Sequence, residues 1–334
     1  MASLRLREEH PVRIRRLEGA QDAQSLRDGF RQVFGSEISP AMLDWKYGQG
    51  RGCSWGAFSD DGQLLAHCGV MYREALANGQ RVRVAQLVDL LATSSRSDGL
   101  SRQQSAFFRL IDSVLGSVRD ARNPDALCFG FPSDRAMRLG ERLGVFAAID
   151  RIHEVTLPRL PPVRMAWWRP EVLGPGHVAR EAFARDVNRL WSRMAQGLGA
   201  GLVGVRDAGY FQHRYVAHPE HAYVLCRVRS WLGASVACAA LRRHGEVFEL
   251  MDLVVDMRDL VPAIQALRRH LPALGGEALK LWLNEGQLKR LPAEMGLESV
   301  ALQFRIMANP RSSGGDAQRF AGRWWLTSGD TDYR

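Results

Sequence analysis

Two short runs limit what this chain can fold into more than any other feature of its sequence. Leu87-Val-Asp89-Leu-Leu91 and Leu250-Met-Asp252-Leu-Val254 each set one aspartate in an apolar, strand-like stretch, and each stretch precedes a helical pattern. A second pair, Asp44-Trp-Lys-Tyr47 and Gln212-His-Arg-Tyr215, recurs at a similar offset. Two echoes in the same element order imply an internal repeat, which must fold as two like units. The length allows it: 334 residues, 46% of them hydrophobic, can bury two cores.

Hydrophobic periodicity fills in the elements of the first unit. Val12 to Leu17 alternates as a strand, Asp22 to Phe34 carries helical spacing with Gly35 as its stop, and a short helix runs from Ser39-Pro40 to Tyr47. Strands follow at Ser54 to Phe58, Leu64 to Arg73 and Arg81 to Leu91, separated by the turn signals Asp60-Asp61-Gly62 and Asn78-Gly79. A helix over Ser101 to Val118, a strand over Ala126 to Phe131, a helix over Asp134 to Leu143 and a strand over Ile152 to Leu157 complete the order β-α-α-β-β-β-α-β-α-β. The fold class expected is α/β (α+β), with a mixed, mostly antiparallel sheet flanked by helices in each unit. The stretch from Leu157 to Gly176 is rich in proline and has no periodicity, so it reads as a linker. The expected domains are 1–157, a linker at 158–179, 180–308, and a tail at 309–334 whose aromatic residues pack back on the protein. In the second unit the pattern gives a helix over Phe183 to Met194, a short one over Tyr210 to Tyr215, strands over Ala222 to Val228, Ala234 to Arg242 and Val247 to Val255, and a helix over Leu260 to Leu271.

Composition excludes several classes. The five cysteines form no C-x-x-C pair and sit mostly in apolar runs, so they read as reduced core residues and not as a zinc or disulfide framework. The N-terminal residues lack the apolar core of a signal peptide, and no run approaches the roughly 18 apolar residues of a membrane span. A cytoplasmic location follows as an expectation. The formal charge of +9 comes from dispersed arginine without a basic run, so nucleic acid is not expected as a partner, whereas an anionic small molecule is served by the same field. No metal is expected: His218-Pro-Glu-His221 places two histidines on a proline-containing loop without cysteine ligands.

The stretch Leu91-Ala92-Thr93-Ser-Ser-Arg96-Ser97-Asp98-Gly99-Leu100-Ser101 ends a strand and opens a helix. A helix start offers unpaired N–H groups and the positive end of the dipole, and Gly99 leaves the backbone clear for a pyrophosphate to approach. Here the sequence resembles the GNAT superfamily of acyl-CoA N-acyltransferases, whose signature at this place is Q/R-x-x-G-x-G/A; Arg96 and Gly99 match it, and Ser101 stands where glycine or alanine is usual. Taken alone the pattern also fits an ordinary strand-to-helix loop. The resemblance implies two such domains in tandem, the second degenerate, because Asp252-Leu-Val-Val-Asp256-Met-Arg has no glycine to open its backbone.

The resemblance implies further that acetyl-CoA or another acyl-CoA serves as co-substrate. Residues 91–93 and 96–101 would bind it, with Arg96 and the backbone at Gly99 to Ser101 on the pyrophosphate, and its pantetheine arm would lie between the fourth strand and the strand ending at Phe131, with Phe131, Pro132 and Ser133 lining the thioester end. A tyrosine that protonates the leaving thiolate in many members is replaced by Gly140. The acceptor would be an amine on a small molecule or sugar, and a homodimer is compatible. For proton transfer Asp89 leads, on the expectation that burial raises its pKa, and His67 follows; each also reads as a structural group, as Asp252 does. Two other functions stay open: an aminoacyl transferase of the peptidoglycan-bridge type using aminoacyl-tRNA, and a non-catalytic protein that binds CoA or a partner.

Overall fold

The structure, a computed structural model, describes residues 12–93, 105–118, 127–163, 166–178, 180–292, 295, 297–308 and 317–333. The first half runs β1 (Arg13–Arg16), α1 (Gly19–Phe34), α2 (Pro40–Tyr47), β2 (Gly52–Phe58), β3 (Leu64–Ala77), β4 (Gln80–Ala92), α3 (Ala106–Val118), β5 (Cys128–Gly130), α4 (Asp134–Arg142) and β6 (Ala147–Pro158). That is the order the periodicity predicts. Ser39 caps α2 by accepting from the Met42 N–H, with Pro40 in the first turn, where its missing donor costs nothing. Asn78 and Gly79 both take left-handed φ, as a tight hairpin turn between β3 and β4 requires.

The second half runs β7 (Trp168–Val172), α5 (Pro175–Val178), α6 (Glu181–Leu198), β8 (Leu202–Gly204), α7 (Ala208–Phe211), β9 (Val224–Ser230), β10 (Ser235–His244), β11 (Val247–Val255), α8 (Leu260–His270), β12 (Ala278–Asn284), α9 (Glu285–Leu288) and β13 (Glu298–Ala308). A last strand, β14 (Trp324–Trp325), lies in the tail. With α5 and β8 set aside, the two series agree element for element.

All strands among the described residues belong to one sheet, whose main run is β1-β2-β3-β4-β5-β13-β6-β12-β11-β10-β9-β7. Replacing each strand by its counterpart in the other half reverses this list. The centre explains the symmetry: β13 sits between β5 and β6, and β6 sits between β13 and β12, so each half receives its closing strand from the other. Neither half completes its sheet alone.

The proline-rich stretch is not bare linker, because β7 within it pairs with β9 from Trp168↔Ser230 to Val172↔Cys226. Pro170 is tolerated there because β7 is an edge strand, where a missing N–H breaks no ladder bond. On one face of the first half, Leu110, Ile111, Val114, Leu115 and Val118 of α3 bury against Cys68, Val70, Ala85 and Leu87. On the other face lie Trp45 of α2 against Met71 and Val88, and the tail's Trp324 and Leu326 in the cluster with Val84 and Phe129.

Candidate functional site

Strand β4 pairs with β3 as far as Ala66↔Ala92 but with β5 only at Ala85↔Cys128 and Gln86↔Phe129. Beyond Gln86 the two strands fork. Gly130 stands at the fork's base, where a Cβ would meet the Leu87 carbonyl and the Met307 side chain, both at 3.0 Å. On the β3 side, Asp89 and Leu90 together oppose Cys68, which is a β-bulge. Asp89 takes φ 52°, left-handed for a residue with a Cβ, so its surroundings must hold it there.

Those surroundings are a buried polar network. The Asp89 carboxylate accepts from Lys46 Nζ at 2.6 Å and from the Tyr47 hydroxyl at 2.5 Å, and Lys46 also donates to Asp332 at 2.8 Å. The Asp89 carbonyl accepts from His67 Nδ1 at 2.8 Å. With that proton on Nδ1, Nε2 is the acceptor, and the Ser54 hydroxyl lies 2.5 Å from it. Burial pushes His67 down to about 4, so the ring is neutral near neutral pH.

For Asp89 the sequence-based expectation is overturned. Burial alone would raise its pKa, but the Lys46 ammonium and the Tyr47 hydroxyl outweigh it and hold the carboxyl below its ordinary value. Burial would likewise lower Lys46, and the Asp332 and Asp89 carboxylates reverse it. Asp89 is therefore an ionised anchor of the bulge and not a carboxylate with raised proton affinity.

Of the residues assigned to the cofactor, Arg96, Ser97, Asp98, Gly99, Leu100 and Ser101 lie outside the described residues. Leu91 is buried, and its side chain approaches α1 at Gly29. The Thr93 hydroxyl donates to the Leu64 carbonyl at 2.5 Å, and its own carbonyl accepts from Gln32. The side chains of Leu91 and Thr93 thus fasten the strand end, while Ala92 is exposed. Across the fork, Phe131 packs edge-on to Phe129, the Pro132 carbonyl accepts from the Arg305 N–H, and Ser133 caps α4 through a long 3.4 Å bond from Ala136. Strand β13 thereby holds the outer side of this segment, and among the described residues no strand takes the side facing β4. At Gly140 a Cβ would overlap the Phe146 ring, so a larger residue fits only if that ring moves.

The second half repeats the polar network and closes the fork. Asp252 sits at a β-bulge of β11 and accepts from Arg206 Nε at 2.7 Å, Tyr210 at 2.9 Å and Tyr215 at 2.8 Å. Tyr47 and Tyr215 close the two echoed tetrapeptides, so each repeats one bond, tyrosine to bulge aspartate. Arg206 also reaches Asp330 at 2.5 Å, as Lys46 reaches Asp332. The tail therefore supplies one carboxylate to each half, and Gly329 passes so close that a Cβ would overlap the Tyr215 hydroxyl. Between β11 and β12, Leu253, Leu283, Leu291 and the tail's Trp325 leave a cavity of only about 20 Å³.

Lys46, Tyr47, Arg206 and the tail carboxylates go unassigned in the sequence reading of the site. The signal was present in the repeated Tyr47 and Tyr215. Asp330 and Asp332, in a tail expected to pack back through its aromatic residues, are buried partners of these cations. His218, on the proline-containing loop, is buried; its Nδ1 accepts from the Glu220 and His221 N–H groups, and it packs on Trp45. No cluster of metal-ligating groups occurs among the described residues.

A cavity of about 230 Å³ opens where the halves meet, walled by Trp45 and Met71 from the first and Tyr210 and His213 from the second, with Arg73 among its polar groups. Burial pushes His213 down to about 4, helped by the cationic Arg51, Arg73 and Arg214.

By sequence the chain matches no family model and no curated protein. Its structure is similar to a probable N-acyltransferase of Enterococcus faecalis, with 14% identity, a TM-score of 0.66, and coverage of 89% of this chain and 72% of that one. It is similar to a GCN5-related N-acetyltransferase of Kribbella flavida, with 15% identity, a TM-score of 0.61, and coverage of 90% and 71%. The Saccharomyces cerevisiae N-myristoyltransferase with bound myristoyl-CoA gives 8% identity, a TM-score of 0.55, and coverage of 90% and 84%. At these identities the likeness is one of architecture. The chain has the fold of the GCN5-related N-acetyltransferases over about nine-tenths of its length.

Proposed function

We propose that the chain is an acyl-CoA-dependent N-acyltransferase whose single cofactor site is the fork between β4 and β5. The observation that carries this reading is the fork itself: it opens at Gln86↔Phe129, and the sequence that follows β4 includes Arg96-Ser-Asp-Gly99-Leu-Ser101, a stretch suited to a pyrophosphate. An extended pantetheine arm entering the fork would pair with strand backbone that has no ladder partner there. The acceptor nitrogen then attacks the thioester carbonyl carbon, a C–N bond forms, the C–S bond breaks, the nitrogen gives up a proton and the CoA thiolate takes one up. Asp89 is a positioning residue in this scheme. Its carboxylate fixes a bulge whose backbone leaves the β ladder beside the acyl group. His67 holds the same bulge through the Asp89 carbonyl.

The acyl group proposed is acetyl, and the acceptor is an amine on a small molecule or sugar. The duplicated-unit reading, with its second half degenerate, is supported by the matched element order and by the filled second fork. The five free cysteines suit action in a reducing cytoplasm. A non-catalytic CoA-binding protein is the second reading, favoured by one observation, the tight packing of Phe146 on Gly140 where a proton donor is common.

A thermal shift on adding acetyl-CoA, read together with CoA release in the presence of amines, tests the proposal. Stabilisation with turnover supports the enzyme. Stabilisation without turnover on any amine supports the second reading, and a response only to charged tRNA would indicate an aminoacyl transferase. Gly99→Trp should abolish acyl-CoA binding in a folded protein, and unchanged binding by calorimetry refutes the placement of the site.

A further inference from the structure

Polar atoms without partners gather at one place on the sheet. Arg73 Nε and Nη2 and both amide atoms of Gln86 are buried and have no hydrogen-bond partner among the described residues. Met71 pairs with Gln86 and Arg73 with Val84 across β3 and β4, so Arg73 and Gln86 are diagonal neighbours on one face. An unmade hydrogen bond at a buried group costs about 1–3 kcal/mol, and folded proteins leave few such groups. Four in one spot mark a place built for something to bind.

The cavity between the halves adjoins that spot. Met71 and Arg73 line it, and the rings of Trp45, Tyr210 and His213 border it. Arg51, Arg73 and Arg214 all line it and all lower the pKa of His213, so three guanidiniums stand on this side of the cavity. Arg214 is already committed to the Gly329 and Thr331 carbonyls and to Tyr223, and Arg51 to backbone carbonyls and Gln49. Arg73 is the guanidinium with donors to offer a ligand. The exposed Glu74 and the part-exposed Asp207 line the same cavity, which suits a zwitterion better than a simple anion.

The cavity also lies close to the fork. Met71, Gln86 and Phe129 form one row across β3, β4 and β5, and Gln86↔Phe129 is the pair at which β4 and β5 part. At ~5 Å per strand, the cavity wall at Met71 is about 10 Å from β5.

We propose that this cavity is the acceptor site, and that it takes a carboxylate-bearing amine with a flat apolar body, such as an aromatic amino acid. The carboxylate lies on Arg73, the ring packs beside Trp45 and Tyr210, and the amine is left to attack the acyl-CoA thioester. The acceptor role rests on the acyltransferase reading above; the binding site itself does not.

The test is equilibrium binding without acyl-CoA, by calorimetry or ligand-observed NMR, with L-phenylalanine and L-phenylalaninamide as the probe pair on the full chain. Phenylalanine should bind at least tenfold more tightly than the amide. Arg73→Met should remove that preference while leaving acyl-CoA affinity and melting temperature near those of the parent, because among the described residues nothing accepts from its Nε or Nη2. Equal binding of acid and amide by the parent protein, which needs no variant, overturns the proposal, as does a preference that survives Arg73→Met. Phenylalanine binding without any acyl-CoA binding would leave this site standing and remove the acyltransferase reading. Turnover on amines that lack a carboxylate, with no binding of phenylalanine, would do the reverse.

Discussion

The two forks of the sheet begin alike and end differently. In each, a bulged strand carries a buried aspartate bonded to a tyrosine from a preceding short helical segment. In the first half β5 is short and pairs at two positions, whereas β12 pairs with β11 at four, from Val247↔Ala278 to Leu250↔Leu281. Past the pairing, the first fork has the glycine-containing stretch Arg96 to Ser101 next in its sequence, and the second is packed with Leu253, Leu283 and Trp325. The polar network therefore belongs to the architecture, since it persists where the fork is filled. Ligand capacity depends on what occupies the space beyond it, so calorimetry should find one acyl-CoA per chain.

The largest expected effect comes from breaking the network in the half whose fork is filled. Asp252→Ala removes the acceptor of Arg206, Tyr210 and Tyr215 together and leaves a fully buried guanidinium with Asp330 as its one remaining carboxylate. Losing one partner of a buried ion pair costs about 3–5 kcal/mol. Chemical denaturation should read a loss of that size, and a loss below about 1 kcal/mol would show that the network does not hold the second half together.

Much of this architecture is legible in the sequence. The first half's order of elements follows from its periodicity, and the echo of Asp89 in Asp252 foretells the paired bulges. Three things were not legible. The exchange of β6 and β13 leaves no local signal, because a strand's own pattern does not name its neighbour. The charge state of Asp89 depends on Lys46, 43 residues earlier in the chain, so burial of an aspartate in an apolar strand gives the wrong direction when taken alone. The tail's role is also non-local: Asp330 and Asp332 look like surface residues until the cations they meet are placed.

The contribution of His67 to acid sensitivity should be somewhat smaller than the cost of the Asp252 substitution. In the unfolded chain His67 takes up a proton below about pH 6.5, while in the folded chain burial delays that uptake to about 4. Between these values unfolding binds a proton, so stability is full above the ordinary histidine range and falls as pH drops through it. At 1.36 kcal/mol per unit, His67 alone accounts for up to about 3 kcal/mol. His213 and His218, lowered to about 4 and about 3 with burial as the main cause, act in the same direction. Asp89, held low by Lys46, withdraws its contribution only at still lower pH. In His67→Gln the fall in melting temperature between pH 6.5 and 4.5 should become shallower, and an unchanged slope would assign the effect elsewhere.

Breaking the network beside the open fork should be milder for stability and more telling for function. Asp89→Asn keeps a residue that tolerates left-handed φ, and Lys46 keeps Asp332, so the expected loss is about 1–3 kcal/mol. Acyl-CoA affinity should hold while turnover drops by up to about 10²-fold, the cost of a small misplacement of reacting groups. Because Asp89 is already ionised near neutral pH, the variant's pH profile should be lower without changing shape between pH 6 and 9. A step lost from that profile would restore Asp89 as the base.

The smallest effect separates the caps that follow the two forks. Ser133 opens α4 with one long bond from the Ala136 N–H, at 3.4 Å, on a part-exposed helix. Its counterpart Asn284 opens α9 with a reciprocal capping box to Gln287, at 2.8 Å in each direction, and also donates to the Trp324 carbonyl of the tail. N-cap substitutions cost about 0.5–2 kcal/mol, so Ser133→Ala should fall at the low end, near 0.5 kcal/mol, and Asn284→Ala at or above the high end. A serine that contributes so little to folding is free to serve a ligand. If Ser133 lines the thioester end of the first fork, Ser133→Ala should raise the KM for acetyl-CoA several-fold although the melting temperature barely moves, and Asn284→Ala should do the opposite. Equal KM values in the parent and Ser133→Ala would make Ser133 a helix cap alone and move the acyl group further from α4.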